Sequence, residues 1–97
     1  MYIHLAISEA IGEEQIRDAV RIMREYGPAL ADDPDFVSFH VDIEDGGRMI
    51  LFTTVWRTRE ACIRYHSSRL YRQLVKTTQH LFLGNFVVKV LRREEGQ

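Results

Sequence analysis

The stretch Arg48-Met49-Ile50-Leu51-Phe52-Thr53-Thr54-Val55-Trp56 decides the architecture. Its β-branched and aromatic content makes it a strand. Ile50, Phe52, Thr54 and Trp56 share one face, and Met49, Leu51, Thr53 and Val55 share the other. A strand that is apolar on both faces needs a cover on each side. Just upstream, Asp45-Gly46-Gly47 signals a hairpin, because glycine reaches positive φ without steric cost. Before the turn, Phe36 to Glu44 reads as a strand in which Val37, Phe39, Val41 and Ile43 alternate with Ser38, His40 and Asp42. Downstream, Thr58 is a good N-cap for a helix over Arg59 to His66. Ser67-Ser68 interrupts it and can cap a further helical stretch over Arg69 to Phe82. Leu70, Leu74 and Leu81 lie along one side of that stretch, beside Tyr71, Val75, Thr78 and Phe82.

Working outward, Tyr2 to Ser8 has the two-residue period of a strand, with Ile3, Leu5 and Ile7 alternating with Tyr2, His4 and Ala6. Gly12 opens a helix whose first turn carries Glu13 and Glu14, where the helix dipole favours acids. Ile16, Ala19, Val20 and Met23 form its apolar stripe, and it ends near Tyr26 because Gly27-Pro28 cannot continue it. Ala29 to Asp35 reads as a connection. Gly84-Asn85 stops the last helical stretch, Phe86 to Leu91 is a final strand, and the polar tail Arg92 to Gln97 is expected to fray. The order β-α-β-β-α-β predicts an α+β, ferredoxin-like fold with a four-stranded antiparallel sheet and helices on one face. The other face, apolar at Met49, Leu51 and Val55, then needs an interface. A sheet-to-sheet homodimer supplies it.

Composition bounds the function. The chain has 97 residues, which predicts one domain over residues 1–97. Its net charge of −1 gives no global drive toward nucleic acid or anionic lipid. Cys62 is the sole cysteine, so an intrachain disulfide or a multi-cysteine zinc site is excluded by count. No apolar run approaches the roughly 20 residues of a membrane span. The N-terminus lacks a signal-peptide pattern, so the expectation is a soluble cytoplasmic protein.

Val55-Trp56-Arg57-Thr58-Arg59-Glu60-Ala61 and His66-Ser67-Ser68-Arg69-Leu70-Tyr71 resemble the antibiotic biosynthesis monooxygenase family, a branch of the dimeric α/β-barrel superfamily. That pattern is a strand ending in Trp, a Ser/Thr cap, Glu-Ala, and then His-x-x-Ser-x-x-aromatic on the helix. Ser68 sits one place before the usual serine. Pro34-Asp35-Phe36 to Val41 and Leu83-Gly84-Asn85 also fit. The resemblance implies a homodimer whose two sheets form a barrel, with an apolar pocket between sheet and helices in each subunit. It implies oxidation of small aromatic quinols or polycyclic phenols by molecular oxygen without a cofactor. Haem degradation is an alternative within the superfamily, and a non-catalytic ligand-binding or stress-related barrel domain is another.

The candidate catalytic residues are Trp56, His66 and Tyr71, with Leu5, Phe39, Phe52, Tyr65 and Leu70 as the candidate substrate-binding set. Trp56 offers an aromatic wall and an indole N–H donor. His66 could take a phenolic proton near neutral pH, or it could cap the helix end beside Ser67-Ser68. Tyr65 and Tyr71 could donate to a substrate oxygen. Arg69, Arg72 and Lys76 could attract an anionic substrate or form a solvated helix face. Placing Leu5 and Phe39 toward the helices puts His4 and His40 on the dimer side. His40 and Asp42 provide two ligands on one face, too few for a metal site, and none is expected. Under the haem alternative the iron ligand of relatives aligns near Val75, with His80 more than a turn later, and Leu5 replaces a first-strand Asn. Phe52 stands where quinone-forming relatives carry Asn.

Overall fold

The computed structural model describes residues 1–94. Four strands form one antiparallel sheet: β1 (Tyr2–Glu9), β2 (Phe36–Ile43), β3 (Met49–Trp56) and β4 (Val87–Arg92), in the order β2-β3-β1-β4. Helices α1 (Glu13–Tyr26), α2 (Arg59–His66) and α3 (Arg69–Thr78) cover one face. Gly46, at φ 75°, makes the β2–β3 turn, and Gly84, at φ 79°, makes the turn ahead of β4. The α+β, ferredoxin-like arrangement read from the sequence is the one observed.

Register settles which side chains meet the helices, because directly paired residues share a face. Tyr2 pairs with Trp56, His4 with Thr54, Ala6 with Phe52 and Ser8 with Ile50. Phe52 and Trp56 lie in the core, so Tyr2, His4, Ala6 and Ser8 point at the helices. Ile3, Leu5 and Ile7 point away, paired with Val55, Thr53 and Leu51. This reverses the placement of Leu5 and His4 expected from the sequence: Leu5 faces away from the helices, and His4 is buried beneath them. The reason is volume. Ala6, Ser8 and Ala10 are small and buried, and they leave room beneath α1 for Ile50, Phe52 and Met23. The larger aliphatics of β1 are left for the opposite face.

That face also carries Met49, Leu51, Thr53 and Val55 from β3, with Ser38, His40 and Asp42 from β2. His40 therefore does face away from the helices, where its ring bonds the Ser38 hydroxyl at 3.1 Å. A register shift between Phe36 and Ser38 removes Val37 from the Phe39–Val41 face and leaves it 38% exposed.

Local chemistry sets the helix boundaries. Thr58 Oγ1 accepts from the Ala61 N–H at 3.1 Å, and Ser68 Oγ accepts from the Tyr71 N–H at 3.1 Å. These two caps split α2 from α3 where Ser67-Ser68 predicts the break. The helical stretch expected to reach Phe82 instead ends at Thr78 and tightens to a 3-10 turn over Gln79–Leu81. Thr77 and Thr78 donate their hydroxyls to the carbonyls of Gln73 and Leu74, which competes with regular helix continuation. The connection after α1 opens with a 3-10 helix over Gly27–Asp32, in which Pro28 occupies an early position that needs no N–H donor. Of the tail expected to fray, Arg92 ends β4 and the Arg93 N–H donates to the Met1 carbonyl at 2.9 Å; residues 95–97 lie outside the described residues.

Candidate functional site

The start of β1, the end of β3, the end of α2 and the start of α3 converge on one aromatic cluster. His4 is 1% exposed, on the helix side of β1. Its Nε2 lies 2.9 Å from His66 Nδ1 at the end of α2. Tyr65 and Tyr71 each approach the His4 ring edge-on with centroids 4.9 Å away. Trp56 stacks on Tyr65 at 5.0 Å. Its indole N–H donates to Thr54 Oγ1 at 2.9 Å, and both groups are buried. The Tyr26 hydroxyl donates to the Tyr65 hydroxyl at 3.2 Å. Phe52 and Phe39 extend the cluster beneath α1, with centroids 6.2 Å apart.

Burial controls the protonation of these groups. The His4 imidazolium would lose hydration and face a second imidazole, and these two effects lower its pKa to about 4. His4 is therefore neutral at pH 7. Its ring also bonds its own backbone, which favours a ring proton and opposes the other two effects. Since Nε2 is engaged with His66, we assign that proton to Nδ1, leaving Nε2 to accept from His66 Nδ1–H. His66 then carries its lone pair on Nε2. His66 is exposed, so that nitrogen can meet a ligand. Burial raises the Tyr65 phenol far above its ordinary value, with Tyr26 adding to the effect, and burial also raises Tyr71. Burial raises Tyr26 to about 12, against the hydrogen bond to Tyr65. All three phenols stay protonated as donors at neutral pH.

Two grooves flank the cluster. The larger, about 750 Å³, is lined by His66 and Tyr71 together with α3 residues including Arg69, Arg72, Val75 and Lys76. The smaller, about 340 Å³, has Trp56, Tyr65 and Leu70 among its lining. The candidate residues thus divide. His66 and Tyr71 share a groove, and Trp56, Tyr65 and Leu70 share another. Phe39 and Phe52 are packing partners in the core, with Phe52 only 1% exposed. Leu5 belongs to the opposite sheet face. The residue that sequence reasoning assigned elsewhere is His4. Its signal was available: it sits in register with small Ala6 and Ser8, the set that can lie under helices.

No protein-family model matches the chain, and no curated protein matches it. Solved structures do. A monooxygenase from the gene ActVA-Orf6 of Streptomyces coelicolor, in complex with nanaomycin D, superposes with a TM-score of 0.80 at 12% identity, covering 99% of this chain and 89% of that one. The fold is that of the antibiotic biosynthesis monooxygenases. SnoaB, a cofactor-independent oxygenase from Streptomyces nogalater, superposes with a TM-score of 0.79 at 12% identity, covering 98% of this chain and 94% of that one. A Deinococcus radiodurans protein provisionally named an antibiotic biosynthesis monooxygenase gives 0.82 at 14% identity, covering 100% and 96%.

On this monooxygenase fold, the haem alternative finds poor donors. Val75, aligned near the iron ligand of haem-degrading relatives, lines the larger groove without a coordinating atom. His80 is exposed in the 3-10 turn after α3 and does not line that groove. Among the described residues no three His, Cys, Asp or Glu side chains gather to hold a metal, and no helix is long and apolar enough to cross a membrane.

Proposed function

We propose that the chain is a cofactor-independent monooxygenase of the antibiotic biosynthesis family, oxidising a small aromatic quinol or polycyclic phenol with molecular oxygen. The observation that carries this reading is the His4–His66 pair beside Tyr71, with His66 and Tyr71 lining the larger groove. The fold shared with a cofactor-independent oxygenase supports it. His66 Nε2 takes the phenolic proton, and His4 holds the ring in the tautomer that leaves Nε2 free. Tyr71, kept protonated by burial, donates to a substrate oxygen. The phenolate is electron-rich enough to reduce oxygen directly. The ring CH2 of its keto form becomes C=O, one oxygen atom enters the product and the other leaves as water. The substrate supplies all the electrons, so the balance needs no further reductant.

The working unit in this reading is a homodimer joined through the open sheet face, and the compartment is the cytoplasm, where a lone buried thiol such as Cys62 stays reduced. The decisive experiment is oxygen uptake by metal-stripped protein with naphthoquinols and anthrone-like phenols, each against its own autoxidation blank. His66→Ala is expected to lower turnover by about 10²-fold or more, and Trp56→Phe to lower it less, with both proteins folded. Unchanged turnover in both removes these assignments.

Phe52 favours a second reading. It fills the position where quinone-forming relatives carry Asn, and its ring is packed between Tyr26 and Phe39. A non-catalytic ligand-binding domain would saturate with aromatic ligands yet form no oxygen-dependent product. A Soret shift on haem titration would instead favour haem degradation.

A further inference from the structure

The larger groove has a charge pattern that its packing does not require. Arg69, Arg72 and Lys76 all line it, and no Asp or Glu does. The grooves along α1 differ, since their arginines share the lining with Glu25 in one and with Glu13, Glu44 and Asp45 in the other. Among the described residues, Arg69, Arg72 and Lys76 make no ion pair, a state they share with several other cations such as Arg17 and Arg24, so the groove differs in its lining and not in the pairing.

This pattern opposes the stability of α3. Arg69 stands at the helix N-terminus, where the helix dipole is positive and a cation is unfavourable. Arg72 follows it by one turn and Lys76 follows Arg72 by another, so like charges are neighbours along one stripe. Beside that stripe run Tyr71 and Val75, an aromatic and an aliphatic wall on the same groove. His66 is part of the same lining. An apolar wall next to a row of cations suits a ligand that is flat and apolar along one edge and anionic along the other. Arg is the side chain best matched to a carboxylate, through paired N–H donors.

We propose that this groove binds an aromatic carboxylate, with the ring against Tyr71 and Val75 and the acid group held by Arg69, Arg72 and Lys76. The inference rests on the groove being the substrate site of the proposed oxidation, and it names the substrate class: a phenol that carries a carboxylate. The cations then do two things. They select the acid over its neutral analogue, and they raise its local concentration beside His66.

The test compares 1-hydroxy-2-naphthoate with 1-naphthol by calorimetric titration at low salt. Wild-type protein should bind the acid about tenfold more tightly, and the preference should shrink as salt is added. The double variant Arg72→Gln/Lys76→Gln should lose most of the preference, keep its affinity for 1-naphthol, and melt no lower than wild type. Equal affinity of wild type for the two probes, no saturable binding of the acid, or a preference undiminished in the double variant would each overturn the proposal. Oxygen uptake separates this outcome from the proposed reaction. An intact acid preference without uptake sinks the oxidation and leaves the anion site, whereas uptake with neutral phenols alone does the reverse.

Discussion

His4 has almost no access to water, and its side-chain partner is another imidazole. Its charged form is therefore disfavoured in the folded state, where the pKa falls to about 4 from 6.5. Between those two values the unfolded chain binds more protons than the folded one, so stability drops as pH falls. The contribution is complete above about pH 6.5 and is lost toward pH 4, amounting to about 3 kcal/mol at most. His4→Phe keeps a ring in the core and removes the titration, and water can serve the exposed His66 in its place. Urea midpoints at pH 7 and pH 4.5 should therefore converge more in His4→Phe than in wild type. Equal acid losses in the two proteins would show that His4 is not a buried neutral base. Trp56 is a second test at this scale. Thr54→Val leaves the buried indole N–H without its acceptor and should cost about 1–3 kcal/mol in chemical denaturation, with far less loss if water reaches that nitrogen. Trp56 and His66 were legible as residues of interest from their spacing and the caps between them. Their relation was not, because it runs through His4, which alternation alone placed on the wrong side of the sheet.

Element bounds are more legible in this sequence than side-chain faces, because caps and turns mark them. Thr58 and Ser68 are capping hydroxyls in fact as well as in pattern, so the bounds of α2 and the start of α3 follow from sequence. The end of α3 depends on which way two threonine hydroxyls rotate, a choice that residue order does not reveal. The β2 irregularity at Val37 is likewise invisible to a two-residue period. Gly27 shows an element junction that tolerates no side chain. A Cβ there would run into the Phe39 ring, and Gly27 itself is buried where α1 passes into its 3-10 extension. Since Phe39 packs in turn on Phe52, the clash cannot be relieved without disturbing the core. Gly27→Ala is expected to destabilise by about 1–3 kcal/mol through overpacking. The matching rescue is Gly27→Ala combined with Phe39→Leu, which should recover part of the loss in thermal denaturation. No recovery would place the strain in the backbone instead.

At the scale of the whole molecule, the reversed face of β1 changes what the open side of the sheet can do. With Ile3, Leu5 and Ile7 turned outward, the two central strands present aliphatic side chains in adjacent, register-matched rows with Leu51 and Val55. The edge strand β2 frames them with Ser38, His40 and Asp42, and β4 adds Lys89 beside Val87 and Leu91. Ile3 and Val55 are already buried within the single chain, whereas Leu5, Ile7 and Leu51 are half-buried. An apolar centre with a polar border is the layout of an interface, and a monomer would leave these three partly in water. Two copies related by a two-fold axis would bury both centres at once, because such a contact uses the same patch twice. The expectation is a dimer in sedimentation equilibrium at micromolar concentration. Leu51→Lys places a charge at the centre of that patch without touching the helix side, where His4, Trp56 and Tyr71 sit. It should give a monomer that keeps the wild-type far-ultraviolet circular dichroism. A Leu51→Lys protein that still sediments as a dimer would move the interface off the sheet, and a monomeric wild type would leave the outward turn of Leu5 without a partner.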